Sequence, residues 1–161
     1  LEGAWSTGEF GTMLRDLFST ASAADFRLSR ESTIAGIRAR VYNFEVRKPY
    51  SHWRIQVASQ SILPAYRGSV WIDPGNARVL RIEMQARSLP SQFPLDTVES
   101  AVDYQYLRLG AGEFLLPVHA ETLGCQRRSN NCSRNTIDFR NYHKYDAQSN
   151  ITFDTATTNK P

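Results

Sequence analysis

Three histidines, two cysteines and a set of strand-borne carboxylates are the residues whose types could do chemistry in this chain. His52, His119 and His143 stand far apart and form no His-x-His or His-x-x-x-His pair, so no local metal motif exists. Each falls in or beside a strand-like segment and reads as a solvent-facing histidine. A serine hydrolase needs its nucleophile on a sharp turn with a base in reach. No Gly-x-Ser-x-Gly occurs, and Gly68-Ser69 leads straight into a strand. Glu83, Asp103, Glu121 and Asp138 would suit acid–base work on glycans if two of them faced each other. Arg54, Arg81, Arg87 and Arg140 interleave with them, which is the pattern of cross-strand ion pairs on a wet face. Gly110-Ala111-Gly112 joins two strand-like runs and opens no helix, so no phosphate-cradling loop is present. The reading assigns no catalytic, cofactor or metal residues and expects a protein that is not an enzyme and has no cofactor.

Cys125 and Cys132 enclose a polar segment containing Arg127 and Arg128. The arginines could depress a thiol pKa and activate a nucleophile. Two lone cysteines this close read better as a local disulfide, and chain entropy makes so short a ring worth roughly 2 to 2.5 kcal/mol. Two free thiols, or half of a metal site, are the alternatives; zinc would need two further ligands, and none sits at metal spacing nearby. A disulfide implies an exported, oxidising setting.

These residues must be carried by secondary structure, and the hydrophobic period says which. Ser6 and Glu9 form a capping box, and Trp5 and Phe10 are placed as a hydrophobic staple. Phe10, Met13, Leu14, Leu17 and Phe18 then follow one helical face, which predicts a helix over about residues 7–18. From Asp25 the period becomes two. Tyr42, Phe44 and Val46 alternate with polar neighbours, as do Trp53, Ile55 and Val57. So do Leu80, Ile82, Met84 and Ala86, then Val118, Ala120 and Thr122, then Ile137 and Phe139. Strands with one dry and one wet face belong to antiparallel sheets. Ala35-Gly36, Asp73-Pro74-Gly75-Asn76 and Gly110-Ala111-Gly112 are turn signals between them. Pro64 and the run Leu89 to Leu95, with Pro90 and Pro94, interrupt the ladder, and Pro117 marks an edge or a bulge.

The chain has 161 residues, 41% hydrophobic, 22% charged and 11% aromatic. At this length one domain, 1–161, is the default, able to bury roughly 70% of its unfolded surface. The expected fold is mainly β. A single up-and-down antiparallel sheet of about seven to nine strands spans residues 25–154, curved into a half-barrel with the helix on its concave face, and the tail 155–161 is frayed. A net charge of +3 is too small to argue for nucleic acid. No apolar run approaches the ~18 residues of a membrane-spanning helix. The chain does not begin with Met and shows no basic segment followed by an apolar stretch, so it reads as mature or trimmed.

The segment Tyr66-Arg67-Gly68-Ser69-Val70-Trp71-Ile72-Asp73-Pro74, followed by Ala77-Arg78-Val79-Leu80-Arg81-Ile82-Glu83, resembles the hairpin of bacterial envelope proteins of the LolA type. That superfamily includes lipoprotein carriers and periplasmic sigma-factor regulatory sensors. A resemblance to exported bacterial domains of uncharacterised role extends to Phe93-Pro94-Leu95-Asp96, to Tyr104–Pro117 and to Cys125–Tyr142. It implies a curved half-barrel with helices on the concave side and a place in the periplasm or envelope. The apolar concave surface must be covered, by side chains, by a neighbouring domain or second copy, or by a lipid or other apolar ligand. Trp53, Trp71, Met84, Tyr104 and Tyr106 are the candidate lining of that apolar pocket. The leading expectation is thus a non-enzymatic envelope domain. Its alternatives are an interaction domain of a larger exported protein and a hydrolase on a β scaffold.

Overall fold

A computed structural model describes residues 10–143. The capping box, the staple residue Trp5, the first turn of the expected helix, strand positions beyond 143 and the tail lie outside the described residues. Helix α1 covers Phe10–Leu17, and nine strands follow: β1 Asp25–Ile34, β2 Ile37–Val46, β3 Ile55–Val57, β4 Gln60–Ile62, β5 Ala65–Ile72, β6 Val79–Arg87, β7 Leu95–Leu109, β8 Gly112–Gln126 and β9 Cys132–Asp138. All pairings are antiparallel. Seven strands form one sheet in the order β1-β2-β5-β6-β7-β8-β9, while β3 and β4 form a small hairpin of their own. β1 and β9 end the sheet unpaired with each other, so it is not a closed barrel.

The turns are where the sequence puts them. Ile34 pairs with Ile37, which leaves a two-residue loop in which Ala35 and Gly36 both adopt positive φ, 47° and 78°. That is the primed turn whose twist matches a hairpin, and glycine takes its second position without steric cost. The Asp73 side chain accepts from the Gly75 N–H at 2.8 Å and fixes the turn before β6. Pro117 lies opposite Tyr104, where the β7–β8 register shifts, and just beyond the last β8 residue that β9 pairs, His119. Its missing donor is tolerated at such a bulge.

One face of the sheet carries the main core: Phe44, Val46, Tyr66, Val70, Ile82, Met84, Ala86, Val98, Val102 and Tyr104. Three excursions of the chain cover it. α1 brings Leu17, 1% exposed; the segment between β2 and β5 brings Trp53 and Ile55; the loop between β6 and β7 brings Phe93. The aromatic rings Phe18, Phe26, Phe44, Tyr66 and Trp53 form a chain of contacts with centroids 5.3 to 6.1 Å apart. Residues 52–59 were expected as a full strand of the sheet; only Ile55–Val57 is extended, in the separate hairpin, because the excursion folds back to lay Trp53 on Tyr66.

Burial pushes the Tyr66 hydroxyl up to about 12, with a smaller contribution from the charge of Asp16. The folded protein then keeps this proton where the unfolded chain loses it. Its stabilisation is whole below pH 10 and is lost as pH rises from 10 toward 12. Chemical denaturation at stepped pH should therefore show stability falling across this window, and Tyr66→Phe should make the fall shallower. An identical alkaline slope in the variant would refute the assignment.

Candidate functional site

The opposite face is built of cross-strand rows. On it, one row runs Arg30, Val41, Trp71, Arg81, Asp103, His119, Asp138, one residue from each of the seven strands. A second runs Arg27, Asn43, Ser69, Glu83, Ala101, Glu121, Thr136. A third runs Asp25, Glu45, Arg67, Gln85, Glu99, Leu123, Arg134. Directly opposed side chains on one face lie about 4.5 to 5.5 Å apart at Cβ, so each row is a line of touching neighbours.

The second and third rows floor a cleft of about 710 Å³. Its polar groups are held by one another. Ser69 Oγ donates to Asn43 Oδ1 at 2.9 Å. Arg67 donates to Gln85 Oε1 at 3.1 and 3.2 Å, and Gln85 Nε2 donates in turn to Glu99 Oε1 at 3.0 Å. Arg134 lies 3.6 Å from Glu121. Strand backbones fix these side chains at their roots, so the floor offers donors and acceptors already in place.

The first row borders the cleft. Arg81 Nη1 reaches both oxygens of Asp103, at 2.6 and 2.7 Å, and its Nε donates to Glu83 Oε1 at 2.9 Å. Partial burial works against this guanidinium's charge, but the hydrogen bonds to Asp103 and Glu83 and their negative charges outweigh it, holding its pKa above the usual value. Arg81 and Arg30 also lie over the Trp71 ring, at 5.9 and 5.8 Å from its centroid. His119 Nδ1 sits 2.7 Å from Asp138 Oδ1, and that bond, ahead of the charges of His119 and Arg140, keeps the Asp138 carboxyl below its usual pKa.

Beyond that row the same face turns apolar. Ala39, Val41, Trp71 and Leu80 are buried together, with Ile34, Ile37, Tyr106 and Leu115 against them. A second hollow of about 450 Å³ opens there, lined by Ile34, Ile37, Leu80, Tyr106, Val118 and His119 among others. Val41, Ala39 and Ile37 carry the apolar side along β2 by plain alternation, and on β6 Trp71 pairs with Arg81 and Ile72 with Val79, so Leu80 is an extra residue that joins the face of Arg81.

No protein-family model, curated protein or solved structure matches this chain. The site must be read from its own geometry. The five residues singled out as pocket lining do not gather in one place. Trp53, Met84 and Tyr104 belong to the main core, whereas Trp71 is in the second cluster with Tyr106 packed against it. Tyr104 and Tyr106 also line the apolar hollow. Cys125 and Cys132 are joined in a disulfide, opposite each other on β8 and β9. His52 is exposed beside Trp53. Among the described residues, no group of three or more His, Cys, Asp or Glu is arranged to hold a metal, and no helix is long and apolar enough to cross a membrane. Sequence reasoning missed the rows, because they depend on the register of seven strands distant in the chain. It read Arg127 only as a charge beside a thiol, whereas the guanidinium binds the carbonyls of Phe93, Pro90 and Leu95.

Proposed function

We propose that this chain is an exported, non-enzymatic binding domain whose ligand is an amphiphile of the lipid class, bound along the face of the three rows. One observation carries the reading: a polar cleft and an apolar hollow share that face, on either side of the row from Arg30 to Asp138. A ligand with a hydrogen-bonding head and an apolar chain matches both compartments, the head over Asn43, Ser69, Gln85 and Glu99, the chain against Ile34, Ile37, Leu80 and Tyr106. In this reading the sheet is a half-barrel whose hollow is the row-bearing face, and α1 covers the other. The lining from β1 and β2 together with β7 and β8 in one hollow supports that curl, since flat strands four places apart would stand about 19 Å from one another. The disulfide is compatible with an oxidising compartment.

A thermal melt with dodecylphosphocholine or palmitate, each below its micellar range, tests the proposal. Free ligand at about a hundred times its dissociation constant stabilises by about 2.7 kcal/mol and should raise the midpoint by about 5 °C or more. Ile34→Glu, at the hairpin tip beside the hollow, should abolish the shift. A midpoint unmoved by phospholipid, detergent and fatty acid alike would sink the reading. The second reading, an interaction domain of a larger exported protein, is favoured by exposed Leu28, Phe114 and Ile137 on β1, β8 and β9; in the same samples a strict monomer by sedimentation would count against self-association.

A further inference from the structure

The structure assigns the Cys125–Cys132 disulfide as a thiol–disulfide exchange site that governs whether the loop 88–94 stays latched over the apolar core. The disulfide lies one cross-strand row beyond Leu123 and Arg134, outside the cleft lining, and the loop covers the opposite face, so the inference does not depend on the proposed ligand.

The latch is Arg127. Its guanidinium donates to three carbonyls of the loop and its exit: Nε to Phe93 O, and Nη2 to Pro90 O and Leu95 O, each at 3.0 Å. Its backbone N–H donates to Pro94 O at 2.9 Å. Hydrogen bonds from a charged donor are the stronger kind, worth roughly twice a neutral one. Together they fix the segment that lowers Phe93 into the core, where its ring is 1% exposed. Prolines at 90 and 94 deprive the loop of donors, so its carbonyls have few internal partners and Arg127 supplies one to each of the four named.

Arg127 follows directly on Gln126, which pairs with Leu95 of β7, and begins the turn between β8 and β9. That turn is closed by Gln126 N–H to Asn131 O at 2.9 Å and by Ser129 N–H to Gln126 O at 3.3 Å, with Arg128 in the left-handed region at φ 59°. All its residues but Arg127 are exposed. The disulfide closes the same ring one step further out, where Cys125 faces Cys132 across the β8–β9 ladder. β9 is an edge strand with every residue exposed, so the covalent link is what keeps the ring shut when the edge frays.

Exposure also makes the link reactive. Cys132 is open to solvent and Cys125 is half-buried. The thiolate of a small thiol or a dithiol reductant attacks the Cys132 sulfur. The S–S bond breaks, a mixed disulfide forms on Cys132, and the Cys125 sulfur leaves as a thiolate that takes a proton. A second thiolate of the reductant attacks the mixed disulfide, releasing the Cys132 thiolate, which is protonated in turn. The reductant leaves as its own disulfide, and two electrons and two protons have passed to the protein.

Hydrogen–deuterium exchange read by mass spectrometry, with and without dithiothreitol and with free thiols titrated in parallel, tests this on the intact chain. With reduction complete, exchange should rise about tenfold or more at the N–H groups of Phe93 and Arg127, while peptides from β5 and β6 stay unchanged. Cys125→Ser with Cys132→Ser should reproduce the reduced pattern and no longer respond to dithiothreitol. Arg127→Met should raise exchange in the loop with the disulfide intact. Three outcomes overturn the proposal. One is a loop unchanged after full reduction. Another is all peptides rising together, which makes the bond a global staple. The last is a disulfide that millimolar dithiothreitol leaves intact in the folded protein. If the double variant fails to fold, the wild-type comparison decides alone.

Discussion

Gly68→Ala is expected to destabilise the protein by at least about 3 kcal/mol, more than most single methyl groups cost, because the added atom has nowhere to go. A Cβ at this position would stand 1.9 Å from the Glu83 carbonyl oxygen on β6 and 2.7 Å from Cζ of Phe44 on β2. The first contact is with backbone, which can move only by loosening the β5–β6 ladder, where Gly68 faces Met84. The second is with a ring that is itself 3% exposed and wedged between Phe26 and Tyr66. Gly68 thus provides the floor on which the Phe44 ring lies, its cross-strand partner. For a chain of this size the loss corresponds to a fall in melting midpoint of about 6 °C or more. Ser69→Ala, one residue on and on the opposite face, removes one exposed hydrogen bond to Asn43 and should cost about 1 kcal/mol or less. Calorimetry of the two variants beside the parent decides the matter; equal losses would mean that the close approach at Gly68 is relieved by a shift of the strands.

That glycine shows how unevenly the fold is legible in the sequence. β2, β6 and β8 could be placed from their two-residue period because each buries one face. The hairpin turns could be placed because Ala35-Gly36, Asp73 to Asn76 and Gly110 to Gly112 have turn chemistry. Gly68 reads as an ordinary weak point in a strand until its partners are known, since its role depends on Phe44 and Glu83. The same limit hid the candidate site. Alternation says that Arg81, Glu83 and Gln85 share one face, and it reads them as wet surface. It does not say that Asp103, Ser69 and Arg67 stand beside them, nor that the face hollows. Bulges then break the parity. Leu80 joins the face of Arg81 by an extra residue in β6, where strict alternation would put Val79, so the residues that line the apolar hollow cannot be named from the period alone.

The cover of the main core was equally hidden, for a related reason. A dry face announces that it needs a lid, and the helix was the only lid with a periodic signature. Trp53 comes from a stretch whose two-residue period reads as one more strand of the sheet, and Phe93 from the proline-bracketed loop before β7, which has no period. Their burial follows from where the sheet leaves room. The residues that fasten them, such as Arg127, touch mainly backbone and so leave no complementary side chain in the sequence to betray the contact.

Phe93→Ala separates the contribution of that lid from the latch that holds it. The ring is 1% exposed and is the largest of the fully buried side chains, so its removal should cost about 3 to 5 kcal/mol: the lost transfer of the ring from water plus a cavity that proline-stiffened backbone cannot collapse to fill. The backbone bonds to Arg127 pass through the Phe93 carbonyl and survive the substitution, so the loop should stay in place with its anchor gone. Arg127→Met does the reverse, leaving the anchor and removing three charge-assisted bonds to half-buried carbonyls, and should cost about 2 kcal/mol, less than the ring. Urea unfolding of both variants and their combination gives the coupling. Because ring and guanidinium act on the same loop, the double variant should lose less than the sum of the single losses by about 0.5 kcal/mol or more, the range found for neighbours that share a structural element. Strict additivity would mean that ring and guanidinium hold the loop independently, and an Arg127→Met variant as stable as the parent would mean that packing alone holds it over the core.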